Sequence, residues 1–153
     1  MARAVPLFSG SKGNSYYIGS ASEGVLIDAG RSCKQIENAM LANGLDMGSI
    51  GAVFITHEHT DHCSALRVLA KRYGFKVYSS LGTLNALRAG NKLDPNTDAD
   101  VITDEVVIGN MRVQRIDTPH DAVESCCYRV TAPDGKSALI ATDMGVMLPD
   151  VRT

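Results

Sequence analysis

The sequence predicts an α/β fold of mostly antiparallel strands with helices on the outer face of the sheet. Two observations lead there. Runs of β-branched and alternating apolar residues recur along the 153-residue chain, and apolar stripes at helical spacing interrupt them. Turn chemistry then sets the direction of several neighbours. Gly109-Asn110, between Val106-Val107-Ile108 and Met111-Arg112-Val113, is a two-residue hairpin signal, and Asp134-Gly135 between the last two strands is another.

Strands are expected near 3–8, 14–19, 24–28, 52–56, 75–79, 105–109, 111–117, 124–131 and 137–142. Ser32 with Gln35 forms a capping box, followed by Cys33, Ile36 and Met40 on one helical face until Gly44. Leu66, Leu69, Ala70 and Tyr73 repeat at helical spacing up to Gly74, and a third stripe carries Leu81, Leu84 and Leu87. Such stripes are ordinarily core faces. The segment from Asn91 to Asp104, acidic and polar with Pro95 inside, reads as the one long loop. No repeat, low-complexity tract or linker divides the chain, and 44% apolar content at this length suits one domain, 1–153.

The formal charge of -2 exerts no bulk pull on nucleic acid, so polyanion binding would need a local patch. The N-terminus reaches a Gly/Ser loop before it builds a signal-peptide core, and no apolar run approaches membrane-spanning length. A cytoplasmic protein with no membrane partner is expected. Cys33, Cys63, Cys126 and Cys127 show no C-x-x-C spacing and read as reduced core thiols.

Three of the four histidines fall inside six residues, His57-Glu58-His59-Thr60-Asp61-His62, directly after the apolar run Gly51-Ala52-Val53-Phe54-Ile55-Thr56. Imidazole and carboxylate donors this dense, at a strand end before a helix, point several lone pairs at one volume. Alternate residues of extended backbone share a face, so His57 and His59 suit one ion, while Asp61 and His62 begin the next helical turn and face a neighbouring one. Paired ions, roughly 3.5–4 Å apart in hydrolases, make the nucleophile a hydroxide held between them rather than a side chain. His120, after Ile116-Asp117-Thr118-Pro119, and Asp143, after Leu139-Ile140-Ala141-Thr142, also follow strand-like runs. Alone, either would be read as a solvated loop residue; beside the cluster, they are the candidate further histidine and bridging carboxylate.

Weaker features have plain readings. The loop Ser9 to Ser15 offers backbone N–H groups and Lys12 to a phosphate, but such segments more often reverse the chain. Arg67, Lys71, Arg72 and Lys76 form a basic edge that is ordinarily a solvated face. Cys63 reads as a small buried residue at a helix start, and Glu58 and Thr60 as facing away from the ligands.

His57, His59, Asp61 and His62 match in full the H-x-H-x-D-H signature, and here the chain resembles the metallo-β-lactamase superfamily. Gly24-Val25-Leu26-Ile27-Asp28-Ala29-Gly30 resembles that family's early strand and turn, and Ala141-Thr142-Asp143-Met144-Gly145 its bridging-aspartate motif. Ser9-Gly10-Ser11-Lys12-Gly13-Asn14-Ser15 and His120-Asp121-Ala122 are similar to the small YycJ-like metallohydrolases, relatives of the nuclease branch. The resemblance implies an αββα sandwich of which this chain is the N-terminal half to two-thirds. It implies two divalent ions, zinc or manganese: His57, His59 and His120 on the first, Asp61 and His62 on the second, Asp143 bridging. Asp61 would also be catalytic, orienting the hydroxide. The implied activity is that of a phosphodiesterase or nuclease with nucleic acid as substrate.

Two alternatives stand beside it: a thioesterase of the glyoxalase type, and a non-catalytic metal-binding fragment. The second arises because the family uses a last histidine and none follows His120. The same shortfall leads to the expectation that the inner sheet lacks its covering sheet, and hence to self-association or a missing C-terminal half as partner.

Overall fold

The computed structural model describes residues 3–9, 13–117, 126–141 and 145–147. The first sheet contains β1 (Arg3–Phe8), β2 (Ser15–Gly19), β3 (Gly24–Ile27), β4 (Ile50–Phe54), β5 (Lys76–Ser79) and β6 (Ala99–Val101), in that spatial order. β1 to β3 run antiparallel, and β3 to β6 run parallel. Parallel neighbours need crossovers, and α1 (Cys33–Ala42), α2 (Thr60–Cys63), α3 (Leu66–Tyr73) and α4 (Leu81–Ala89) supply them. The second sheet is antiparallel throughout, in the order β11 (Gly145–Met147), β10 (Ser137–Ala141), β9 (Cys126–Thr131), β8 (Met111–Asp117), β7 (Glu105–Ile108).

The period of two along the strands divides the core into two layers. Tyr17, Leu26, Val53, Ile55 and Val77 face one way and pack with Ile36, Met40, Leu66, Leu69, Leu84 and Leu87 of the helices. Tyr16, Ile18, Val25, Ile27, Ala52 and Phe54 face the other way and meet Met111, Val113, Tyr128, Val130 and Ile140 of the second sheet. A sheet covered on both faces explains why its central strands are unbroken apolar runs.

The helices follow their sequence signals. Ser32 Oγ accepts from the Gln35 N–H and Gln35 Oε1 accepts from the Ser32 N–H, both at 3.1 Å, so the capping box forms at α1. Gly74 closes α3 in the left-handed region, φ 69°. In α4, Leu84 and Leu87 are buried, whereas Leu81 is 56% exposed and leaves the stripe.

Several expectations need correction. The 91–104 loop holds the edge strand β6, whose short polar sequence Ala99-Asp100-Val101 carries no alternation and which exists through pairing with β5. β11, three residues long, was not expected either. The Asp134-Gly135 turn is a three-residue loop, not two: Gly135 N donates to Ala132 O at 3.0 Å, Ala132 N donates to Lys136 O at 2.8 Å, and Gly135 takes φ 87°. Most importantly, the first sheet does have its covering sheet. The strands from residue 105 onward are that second sheet, so the bare inner face from which self-association was expected does not exist. No helix among the described residues is long and apolar enough to cross a membrane.

Candidate metal centre

The histidine cluster lies at the C-terminal edge of the parallel strands, the edge where open α/β sheets receive ligands. The register Ile27↔Phe54 aligns the ends of β3 and β4, and the Asp28 N–H donates to Phe54 O at 2.7 Å. The floor is tied to both sheets: Ile55 O accepts from Ser79 Oγ and from Tyr128 Oη, each at 2.7 Å, and Thr56 O accepts from the Cys126 N–H at 3.0 Å.

The chain leaves β4 through bends at Thr56 and Glu58, and His59, at φ −63° and ψ 143°, caps α2. One ligand atom each from His57, His59 and Asp61 lies within 4.8 Å of the others. The His57 ring centroid is 4.5 Å from that of His59 and 4.1 Å from that of His62. His62 Nε2 stands 3.5 Å from Asp61 Oδ2. All four motif residues therefore share one small volume, and Asp61 lies within reach of the first two histidines as well as of His62.

Asp28 organises this volume. It is 1% exposed and occupies the left-handed region at φ 64°, a conformation that aspartate tolerates better than most residues. Its Oδ1 accepts from the Thr56 N–H at 2.7 Å; its Oδ2 accepts from the Thr56 hydroxyl at 2.7 Å and lies 2.6 Å from His62 Nδ1. An ionised carboxylate only accepts, so His62 carries its proton on Nδ1. The single Thr56 hydroxyl proton is also committed to Asp28. Thr56 Oγ1 must then accept from His57 Nδ1, 3.0 Å away. Both rings are thereby assigned the Nδ1–H tautomer with the lone pair on Nε2, one of the two states in which a neutral imidazole ligates a metal.

Asn14 approaches from the β1–β2 connection: its Nδ2 is 3.2 Å from His62 Nε2 and 3.4 Å from Asp61 Oδ2, and its backbone N–H donates to Asp61 O at 2.7 Å. Gly30 makes this approach feasible. A Cβ there would lie 2.3 Å from Asp61 O and 2.5 Å from Asn14 N, both backbone atoms that cannot swing aside.

His120, Asp143 and Lys12 lie outside the described residues. Of the four residues named for a basic edge, Arg72 pairs with Glu37 at 3.1 Å and Lys76 with Asp100 at 3.3 Å, while Arg67 donates to the neutral Asn91. Cys63 is buried as expected but is the last residue of α2 rather than a helix-start residue, and all four cysteines are buried without a disulfide. Sequence reasoning did not assign Asp28, Asn14 or Thr56. Asp28 carried a usable signal, because it ends an apolar strand run as Asp143 does; Asn14 carried none beyond its place in a turn. The described donor set, imidazole nitrogens with their lone pairs on Nε2 beside a carboxylate, fits a divalent ion that prefers nitrogen and oxygen ligands.

The comparisons with known proteins agree with this geometry. Residues 9–153 match the family model of the metallo-β-lactamase superfamily. The chain is 35% identical over 141 residues to exodeoxyribonuclease YycJ of Bacillus anthracis, covering 91% of this chain and 53% of that protein. It is 32% identical over 143 residues to exodeoxyribonuclease WalJ of Streptococcus pneumoniae, again covering 91% and 53%. The chain thus spans about half the length of the curated relatives it matches. Among solved structures, a metallo-β-lactamase from Cronobacter sakazakii superposes with a TM-score of 0.77 at 23% identity, covering 92% of this chain and 60% of that one. A subclass B3 metallo-β-lactamase from a soil metagenome library gives 0.70 at 23% identity, covering 90% and 61%. At that identity the likeness speaks for the fold alone. With the signature residues gathered at the strand ends and the family model matching nearly the whole length, this chain belongs to the metallo-β-lactamase superfamily.

Proposed function

We propose that this chain, as one domain, carries the metal-binding part of a binuclear phosphodiesterase that acts on DNA. The observation that carries the reading is the gathering of His57, His59, Asp61 and His62, with Asp28 and Thr56 holding His57 and His62 in the tautomer suited to ligation. The naming of the two bacterial relatives as exodeoxyribonucleases supports DNA as the substrate class.

His57, His59, Asp61 and His62 would hold two divalent ions, zinc or manganese, with His120 and Asp143 completing the set. Such ions supply Lewis acidity, which acidifies a water and offsets charge on the phosphoryl oxygens. The protein's own part is placement. The Asp61 side chain is 33% exposed against 4% for His62, so Asp61 is the group assigned to orient the attacking water while the buried His62–Asp28 pair holds the wall. Asn14, with its amide beside Asp61 and His62, limits how far either can turn.

The test incubates the chain, and a version extended by a C-terminal half like that of its relatives, with bis(p-nitrophenyl) phosphate, 5′-labelled DNA and S-lactoylglutathione, under zinc and under manganese. Both phosphodiesters should be cleaved, faster by the extended version, with cleavage abolished by His59→Ala. An extended protein that ignores both phosphodiesters and hydrolyses the glutathione thioester would replace this reading with the thioesterase one.

A further inference from the structure

The ligand loop is held from outside by a side chain far away in sequence. Lys92 Nζ donates to Glu58 O at 2.8 Å and lies 3.4 Å from Thr60 Oγ1, so one ammonium spans the turn that carries His57, His59 and Asp61. Its own backbone is fixed. The Lys92 N–H donates to Leu87 O at 2.8 Å at the end of α4, Leu93 beside it is 1% exposed, and Arg67 Nη1 donates to both oxygens of Asn91 on the other side. The Cys63 thiol donates to the same Glu58 carbonyl and to His59 O, each at 3.3 Å. The peptide between the two histidine ligands is thus gripped by a charge-assisted bond and by a thiol. A carbonyl oriented in this way fixes the bend at Glu58 that brings the His57 and His59 rings together.

We infer that Lys92 is a positioning residue for the metal centre, acting through the Glu58 carbonyl to hold the His57–Asp61 turn in its ligating shape. The inference rests on the metal-centre reading above and is independent of the substrate. It also has a sign. An ammonium beside a dication site disfavours the ion by like charge, so a merely electrostatic Lys92 would make the ion bind more tightly once neutralised. A positioning Lys92 does the opposite.

The experiment uses the full chain and its variants Lys92→Met and Lys92→Arg. Zinc affinity is read by chelator competition, cobalt(II) absorption reports ligand geometry, and thermal unfolding of the metal-free protein reports structure. Lys92→Met should weaken zinc about tenfold, the lower end of what loss of a ligand-supporting contact costs. It should also alter the cobalt spectrum and leave the metal-free midpoint in place. Lys92→Arg, which still donates, should restore most of the affinity. Unchanged or tighter zinc binding by Lys92→Met overturns the inference. So does a metal-free midpoint that falls in step with affinity and is not restored by arginine. If Lys92→Met does not fold, Lys92→Gln is read by the same three measurements. A wild-type chain that takes up no zinc defeats the metal-centre reading itself, whereas equal affinities in wild type and variant defeat only the role of Lys92.

Discussion

Asp28 shows how much of the centre depends on one carboxylate that is not in the signature. It lies 34 residues before His62 and 28 before Thr56 in sequence, and its Oδ2 holds one imidazole directly and a second through the Thr56 hydroxyl. Asp28→Ala should weaken zinc binding by about 10–100-fold with all the motif histidines intact; chelator competition showing no loss would mean that the rings orient themselves. Cys63 gives a second test at this scale. Burial is the main cause that pushes its thiol up to about 12, only partly opposed by the nearby Lys92 ammonium. At pH 8 it is neutral and enclosed, so iodoacetamide should leave it unmodified in the folded protein and label it in urea, as read by peptide mass. The ligand motif was legible because four chemically matched residues stand within six positions. Asp28 and Asn14 were not, because their roles exist only once β3 and the β1–β2 connection are brought against the cluster.

At the scale of elements, the signals that survived into structure were local ones. The Ser32 capping box, the stop at Gly74 and the Ile108↔Met111 hairpin each need only neighbouring residues. β6 and β11 were missed because a three-residue strand at a sheet edge has no periodicity to read, and only its partner defines it. The exposed Leu81 shows the limit of a stripe: spacing places three leucines on one face of α4, but the layer beneath reaches only Leu84 and Leu87. Leu87→Ala should therefore cost about 2–5 kcal/mol in urea unfolding, and Leu81→Ala no more than about 0.5 kcal/mol. Equal costs would mean that the helix is seated differently. Gly30→Ala should disturb the centre more than the fold, since the new methyl meets Asp61 O and Asn14 N; zinc affinity should fall by far more than unfolding stability does.

At the scale of the whole molecule, four of the second sheet's five strands, β7 to β10, were legible in the sequence, yet their role as a cover for the first sheet was not. Which sheet a strand joins depends on registers between distant segments, and alternation does not encode them. The cover buries Cys126 and Tyr128, and burial is the first cause of a thiol raised to about 12 and a phenol raised well above 10.0. Groups whose folded pKa is raised keep their proton longer than the unfolded chain does, so the stability they contribute is complete only below the unfolded thiol's value, about pH 8, and is lost as pH rises toward 12. The urea midpoint should fall between pH 8 and pH 10, and Cys126→Ala should flatten that fall.

The central claim is that the His57–His62 loop is a metal centre. Metal content after exhaustive dialysis of zinc-loaded protein tests it most directly, with His59→Ala in parallel. The account predicts at least one zinc retained per wild-type chain and a large loss in the variant, with the fold of both intact by circular dichroism. Negligible metal in both proteins, or equal retention in both, would contradict it.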